Sequence, residues 1–180
     1  MIEIIAVIFT LLSVYLTIKI KIINWPVGII GILGYAILFF QQHLYAQLVL
    51  QVIFILQSIY GWIYWQRDKY NKVIFIEPVK MIIHIIIIMI LTPILSFFLK
   101  EYTNNPQPEL DAVTTLLSLL ATWYMAKKII YNWLIWLLTD FFFVVMFMKQ
   151  HMYWSVALYL FFIFLVIKGL IQWAKSITTD

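Results

Sequence analysis

The sequence of 180 residues contains no cysteine and few charged residues, and both shortages exclude classes of protein. Only 11% of the residues are charged and 65% are hydrophobic, whereas a soluble domain is about half apolar and about a quarter charged. The charged side chains are too few to cover a water-facing surface, so a soluble globular domain is excluded. The absence of cysteine excludes a zinc-finger scaffold, and the scarcity of polar residues excludes a disordered chain. An integral membrane protein with no room for a second, soluble domain remains.

Seven apolar segments are long enough to cross a bilayer. A helix needs roughly 20 apolar residues to cross about 30 Å of hydrocarbon. The segments do not alternate between polar and apolar residues, and a backbone in lipid must satisfy its own hydrogen bonds, so helices are favoured over strands. The sequence predicts an all-α integral membrane fold with seven transmembrane helices, at about 2–17, 25–40, 44–65, 79–99, 110–126, 130–148 and 153–173.

The basic residues predict the orientation of these helices. When the connections are assigned alternately to the two sides, two of the 12 basic residues, Lys100 and Lys149, lie on one side and all the others lie on the opposite side. Because cytoplasmic connections carry the excess of Lys and Arg, the N-terminus is predicted outside and the C-terminus inside. The lysines form no single basic patch, so no nucleic-acid partner is expected. Tryptophans near the basic side are predicted to form an interfacial belt: Trp25, Trp62, Trp65, Trp133, Trp136 and Trp173.

An internal repeat emerges when the chain is compared with itself at an offset of 108, here called the repeat offset. The matching pairs are Lys19 and Lys127, Asn24 and Asn132, Trp25 and Trp133, Gln42 and Gln150, His43 and His151, Tyr45 and Tyr153, Gly61 and Gly169, and Trp65 and Trp173. Chance similarity between two helix trios is the alternative to a duplication. A duplication predicts a first three-helix bundle at 1–66, a connecting fourth helix with its flanking loop at 67–100 and a second bundle at 101–180. The offset spans four helices, so both trios point the same way, as in transporters with parallel repeats.

Several motifs stand along the chain, many of them at the repeated positions. They are Asn24-Trp25-Pro26-Val27-Gly28-Ile29-Ile30, Leu44-Tyr45-Ala46, Leu50-Gln51, Tyr60-Gly61-Trp62 with Trp65, Asp111-Ala112-Val113-Thr114-Thr115, and Asn132-Trp133-Leu134-Ile135-Trp136 with Asp140. Taken together, these motifs resemble those of the PnuC family of bacterial vitamin transporters. The family often has an acidic residue where this chain has Gln47, and Gln where it has Thr122.

The resemblance implies a fold and a function. The implied fold is the three-one-three, SWEET-like arrangement of helices. The implied location is the bacterial inner (cytoplasmic) membrane, which a multi-pass protein of this kind spans in contact with membrane lipid. The resemblance also suggests a homotrimer. The function is uptake of a vitamin precursor, most often nicotinamide riboside, by facilitated diffusion. A cytoplasmic kinase then traps the substrate as its phosphate. Relatives carry thiamine, riboflavin or deoxynucleosides.

Polar side chains near the middle of the predicted helices are candidates for a substrate site, because such groups are costly in lipid unless they line a wet cavity. A rise of about 1.5 Å per residue places Tyr35, Gln51, Thr92, Ser118, Asp140 and Tyr159 at this depth. Asp140 could accept hydrogen bonds from ribose hydroxyls or balance a cationic ring, or it could pack between helices. Gln51 could bind a carboxamide or ribose, or join two helices. Gln57 lies on another face of the same helix and is a weaker candidate.

The start of the sixth helix supplies the remaining candidates. Trp133 and Trp136 are three residues apart and share a helix face, so they could stack on a flat aromatic cation. Asn132 could join them, or it could cap the helix. An integral membrane enzyme is a more distant alternative, since no cluster of His, Glu and Asp and no Gly-rich phosphate loop occurs. No cofactor or metal site is expected.

Overall fold

The computed structural model describes residues 2–41, 45–68, 72–103 and 105–178, and this part of the chain folds into seven α-helices. They are α1 Ile2–Ile18, α2 Asn24–Gln41, α3 Tyr45–Arg67, α4 Pro78–Tyr102, α5 Pro108–Ala126, α6 Asn132–Lys149 and α7 Tyr153–Thr178. Each helix coincides with a predicted segment to within a few residues, so the prediction of an all-α chain is confirmed.

Length and composition divide the helices into two groups. Five of them, α2, α3, α4, α6 and α7, are long and apolar enough to cross a membrane. Helix α1 is shorter, at 17 residues, and α5 carries Glu109 and Asp111 in its first turn. Pro78 and Pro108 stand at the start of α4 and α5, where the missing backbone N–H of proline costs no helical hydrogen bond.

Six of the helices form a closed ring, and α4 lies outside it. Each helix of the ring contacts the next in the order α1, α2, α3, α5, α6, α7, and α7 contacts α1 again. Among the described helices, α4 packs on α5 alone, where His84 Nδ1 and the hydroxyl of Tyr124 are 2.7 Å apart. The ring therefore surrounds whatever space the bundle contains, and α4 stands outside that space.

The turns that end α1 and α5 have the same backbone conformation. Ile20 and Lys128, which are related by the repeat offset, both have φ of 54°. The N–H of Lys21 donates to Leu16 O at 3.0 Å, and at the matching positions of the second trio the N–H of Ile129 donates to Tyr124 O at 2.9 Å. The turns then lead into α2 and α6, which begin at matching positions.

The segment between α3 and α4 is attached to the second of these turns. The N–H of Ile74 donates to Lys128 O, and the N–H of Ile130 donates to Ile74 O, both at 3.0 Å. The ammonium of Lys128 also lies 2.6 Å from Asp68 Oδ2. The Lys128 side chain is only 1% exposed, so this ion pair is largely removed from solvent.

The tryptophans near these turns belong to the interior of the protein. Trp25, Trp65, Trp133 and Trp173 are between 0% and 4% exposed and form one hydrophobic cluster. The prediction that they belong to an interfacial belt was wrong, since a belt requires contact with headgroups or water. Hydropathy cannot distinguish the two positions, because an indole suits both.

Candidate functional site

The ring of helices encloses a cavity of about 780 Å³. Side chains from α1, α2, α3, α5, α6 and α7 line it, together with Asn105 and Pro106 from the segment before α5. A cavity of this volume is within the range of pockets that bind small organic molecules. It follows the long axis of the bundle, since its lining extends over most of the length of α2 and α6.

The two ends of the cavity differ in exposure. At the end near the α6–α7 turn, the lining residues Pro106 and Met152 are exposed. At the end near the α1–α2 and α5–α6 turns, Thr17, Trp25 and Trp133 each have 2% exposure. The cavity is therefore closed at the second end in this conformation and accessible at the first.

The lining combines aromatic rings with carboxylates. Among the described residues the lining includes Asp111 and Asp140 and no Lys, Arg or His. Aromatic side chains come from both trios: Trp25, Tyr35, Phe39, Phe54, Trp133, Trp136, Phe143, Phe147, Tyr159 and Phe162. Such a surface favours a flat organic cation, because ring faces and carboxylates both attract positive charge.

Seven of the residues predicted from the sequence line the cavity: Tyr35, Gln51, Ser118, Trp133, Trp136, Asp140 and Tyr159. Asp140 is 4% exposed, and among the described residues no side chain forms a hydrogen bond or an ion pair with its carboxylate. Tyr159 packs against Phe143 and Phe147, with ring centroids 4.5 and 5.4 Å apart.

Three predicted residues lie outside the lining. Thr92 is on α4, where its hydroxyl donates to Ile88 O at 2.8 Å. Gln57 donates from Nε2 to Leu119 O at 3.1 Å and so joins α3 to α5. Asn132 is fully buried and donates from Nδ2 to Ile129 O at 2.7 Å, which holds the turn before α6. The Gln57 contact joins two helices, and the Asn132 contact is not the expected helix cap, because its amide donates to a carbonyl and no side-chain cap is present at the start of α6.

Several lining residues were not predicted from the sequence. They include Thr10, Ser13, Thr17, Gln47, Ser58, Asn105, Asp111 and Thr122. The repeat offers a signal for one of them, because Thr10 matches the predicted Ser118 at the repeat offset. Gln47 and Thr122, the positions at which the chain departs from the PnuC pattern, are both in the lining.

Two of the tryptophans that line the cavity pack directly against glycines, and the two glycines are related by the repeat offset. A Cβ added to Gly61 would come closer than 3.0 Å to the Trp25 ring, and one added to Gly169 would come equally close to the Trp133 ring. The indole Nε1 of each tryptophan is buried and has no acceptor among the described residues. Each of these two tryptophans thus lines the cavity near its closed end, while its indole N–H is buried.

Comparisons with known proteins identify relatives of this chain. The family model described as nicotinamide mononucleotide transporter matches residues 1–175. The nicotinamide riboside transporter PnuC of Escherichia coli (strain K12) is 28% identical over 204 aligned residues, which cover 97% of this chain and 85% of the relative. The transporter of the same name from Shigella flexneri matches to the same extent.

A solved structure has the same fold. The crystal structure of the Vitamin B3 transporter PnuC aligns with a TM-score of 0.79 and 17% identity, over 99% of this chain and 82% of that one. This similarity supports an integral membrane helical fold for the chain described above.

Proposed function

Because the chain belongs to the nicotinamide mononucleotide transporter family, which is a family of transporters and not of enzymes, we propose that it imports nicotinamide riboside. The observation that carries this proposal is the cavity lining, in which the described residues supply two carboxylates, many aromatic rings and no basic side chain. Nicotinamide riboside has a flat pyridinium ring with a fixed positive charge, and ring faces and carboxylates attract such a cation.

The same lining favours the riboside over the mononucleotide. A phosphate group is bound in proteins by Arg, Lys or the backbone N–H groups of a helix N-terminus. The described lining contains no Arg or Lys, and Asp111 and Asp140 would repel a phosphate. Discrimination against the phosphate would also keep the product of a cytoplasmic kinase inside the cell, so the proposal includes trapping by phosphorylation.

Asp140 is the proposed counter-ion of the pyridinium ring. A buried carboxylate without a partner is costly in a membrane protein, and a bound cation would offset that cost. Trp136 lines the cavity one turn before Asp140 on α6, where its ring could stack on the pyridinium. Gln51 on α3 could bind the carboxamide or the ribose, since its side chain offers two donors and one acceptor.

We propose that the transport is facilitated diffusion. A proton-coupled carrier needs a relay of ionisable groups, and Asp111 and Asp140 are the only such carboxylates in the described lining. His84 faces Tyr124 between α4 and α5, outside the cavity, and cannot join such a relay in this arrangement.

The proposed architecture is a parallel repeat of two trios, α1–α3 and α5–α7, with α4 between them and the N-terminus outside. The matching turns at Ile20 and Lys128 support it, and so does the ring, in which α3 meets α5 just as α7 meets α1. The proposed units are the first three-helix bundle at 1–66, the connecting helix with its flanking loop at 67–100 and the second three-helix bundle at 101–180. We place the protein in the bacterial cytoplasmic membrane, with all seven helices spanning it and the Lys-rich turns inside, and expect a homotrimer.

Thiamine is a second candidate substrate. Its thiazolium ring also carries a fixed positive charge, so Asp140 suits thiamine as well as nicotinamide riboside. Riboflavin and deoxynucleosides lack this charge and match the lining less well. Gln47 and Thr122, which line the cavity and depart from the family pattern, are the positions at which a change of substrate would be expected.

Uptake into proteoliposomes tests the proposal. Purified protein is reconstituted without any ion gradient and given radiolabelled nicotinamide riboside, thiamine or nicotinamide mononucleotide. We expect the riboside to reach equal concentrations inside and outside, and the mononucleotide to stay out. Empty liposomes are the control. If thiamine alone equilibrated, thiamine would replace nicotinamide riboside as the proposed substrate. If neither cation entered the liposomes or bound to the protein in calorimetry, the assignment to vitamin transport would be refuted.

A further inference from the structure

We propose that Trp25, Trp65, Trp133 and Trp173, here called the four-tryptophan gate, close one end of the cavity and must separate for that end to open. The inference rests on the proposed transport function, because only a transporter needs the cavity to become accessible from its closed end. The proposed orientation places this end in the cytoplasm, so opening the gate would release the substrate there.

The position of the gate follows from the helices that carry it. Ser58 on α3 and Val166 on α7 line the cavity near its closed end. Trp65 and Trp173 each lie seven residues further along the same helices, which is about 10 Å at 1.5 Å per residue. The two rings therefore lie beyond the cavity, between its closed end and that side of the protein.

The four rings form a continuous chain across the bundle. Trp25 and Trp65 meet edge to face, with centroids 5.4 Å apart and an interplanar angle of 87°. Trp133 and Trp173 meet at 5.4 Å and 89°. Trp65 and Trp173 join the two pairs at 6.3 Å, so within this chain of rings the step from one trio to the other is made by these two rings. Edge-to-face contacts at such distances are favourable for aromatic rings.

Two hydrogen bonds hold the trios together at the same level. The indole N–H of Trp65 donates to Ala126 O at the end of α5, at 3.1 Å. The indole N–H of Trp173 donates to Thr17 O at the end of α1, at 3.0 Å. Each bond joins the third helix of one trio to the first helix of the other. Carbonyl groups in the last turn of a helix lack intrahelical partners. Thr17 O also accepts from the N–H of Ile20 at 2.9 Å, and a carbonyl oxygen has two lone pairs, so it can accept both hydrogen bonds.

The closed gate also contains a cost that opening would relieve. The indole Nε1 atoms of Trp25 and Trp133 are buried without an acceptor among the described residues. A buried donor that makes no hydrogen bond destabilises the state that contains it. Separation of the trios would hydrate these two donors while it breaks the bonds of Trp65 and Trp173, so part of the cost of opening the gate is recovered.

The absence of cysteine from the chain allows single-cysteine reporters beside the gate. Ser58→Cys and Val166→Cys place one thiol in each trio at matching positions, both 5% exposed in this conformation. A membrane-impermeant maleimide is applied from either side of oriented membrane vesicles. With the gate intact, we expect slow labelling from the gate side and faster labelling from the opposite side. Fast labelling from the gate side would by itself overturn the proposal.

Gate variants complete the test. Trp65→Phe and Trp173→Phe keep an aromatic ring and remove one hydrogen bond each. Loss of one such bond should increase labelling from the gate side about 3- to 10-fold, and the double variant should label faster still. Trp154→Phe is the matched control, because Trp154 is 92% exposed at the other end of α7, and its labelling should stay unchanged.

The outcome separates the gate from the substrate assignment. Size-exclusion chromatography checks that Trp65→Phe and Trp173→Phe are folded. If both folded variants were labelled at the unchanged rate, the proposed gate would be refuted. Because the assay contains no vitamin, faster labelling without any riboside transport would leave the gate supported and refute only the proposed substrate.

Discussion

Gly169 of α7 lies directly against the ring of Trp133 of α6, so closely that a Cβ at position 169 would come nearer than 3.0 Å to the indole Cη2 atom. The same relationship joins Gly61 of α3 to Trp25 of α2, where the added Cβ would also lie within 3.0 Å of the ring. The glycines thus allow two large rings to lie deep between helices and to face the cavity.

The first prediction concerns these glycines. Gly61→Ala and Gly169→Ala should each lower the free energy of unfolding by about 1–3 kcal/mol, the usual cost of overpacking. Alanine is the better helix former by about 1 kcal/mol, so a net loss means that the clash with the ring outweighs propensity. Thermal unfolding in detergent measures it. Ala157→Val adds bulk on an exposed face of α7 and should change little; an equal effect of all three substitutions would contradict the argument.

The second prediction concerns the charge of Asp140. Asp140→Asn keeps the shape of the side chain and should weaken nicotinamide riboside about tenfold or more, which corresponds to roughly 1.4 kcal/mol. Gln57→Leu should weaken it much less, since Gln57 joins α3 to α5 through Leu119 O. Titration calorimetry measures both. The reduced riboside, whose dihydropyridine ring is neutral, is the matched control ligand. The native protein and Asp140→Asn should bind it almost equally. Equal loss for both ligands would assign Asp140 to packing.

The third prediction concerns stacking on Trp136. Trp136→Leu retains an apolar side chain but removes the ring, and a cation–π contact in a desolvated site contributes roughly 1–2 kcal/mol. The affinity for the riboside should therefore fall about 5- to 30-fold. Trp154→Leu removes a ring that is 92% exposed and should leave binding unchanged. If binding survives Trp136→Leu intact, the ring has no part in the site.

The fourth prediction concerns the ion pair of Lys128 and Asp68. Lys128→Met should destabilise the protein by about 1–3 kcal/mol, less than the roughly 3–5 kcal/mol of a fully buried pair, because the Asp68 side chain is 23% exposed. Lys80→Met removes the exposed pair with Glu77, whose side chains are 61% and 71% exposed, and should cost at most about 0.5 kcal/mol. The melting temperatures of Lys128→Met and Lys80→Met are compared. A similar loss of stability in both variants would mean that the burial of Lys128 does not strengthen its ion pair.

The site could be predicted from the sequence only in part. Asp140 and Gln51 were recognisable because polar groups deep in an apolar helix need a reason to be there. Gln57 satisfies the same criterion, yet its amide is directed to Leu119 O in the neighbouring helix. Thr92 also has the right depth, but α4 lies outside the ring. Depth along one helix follows from counting residues, whereas the direction of a side chain depends on which helices are its neighbours.

The tryptophans show the same division. Their matching positions in the two trios are present in the sequence, but their burial is not, and the expected belt is a buried chain of rings that crosses from one trio to the other. The sequence alone determined the helices, since the length of an apolar run and the prolines and turns between runs are local properties. The tertiary structure decided which faces meet, because the hydrogen bonds of Trp65 with Ala126 and of Trp173 with Thr17 join residues that are distant in the chain and adjacent only after the helices have packed.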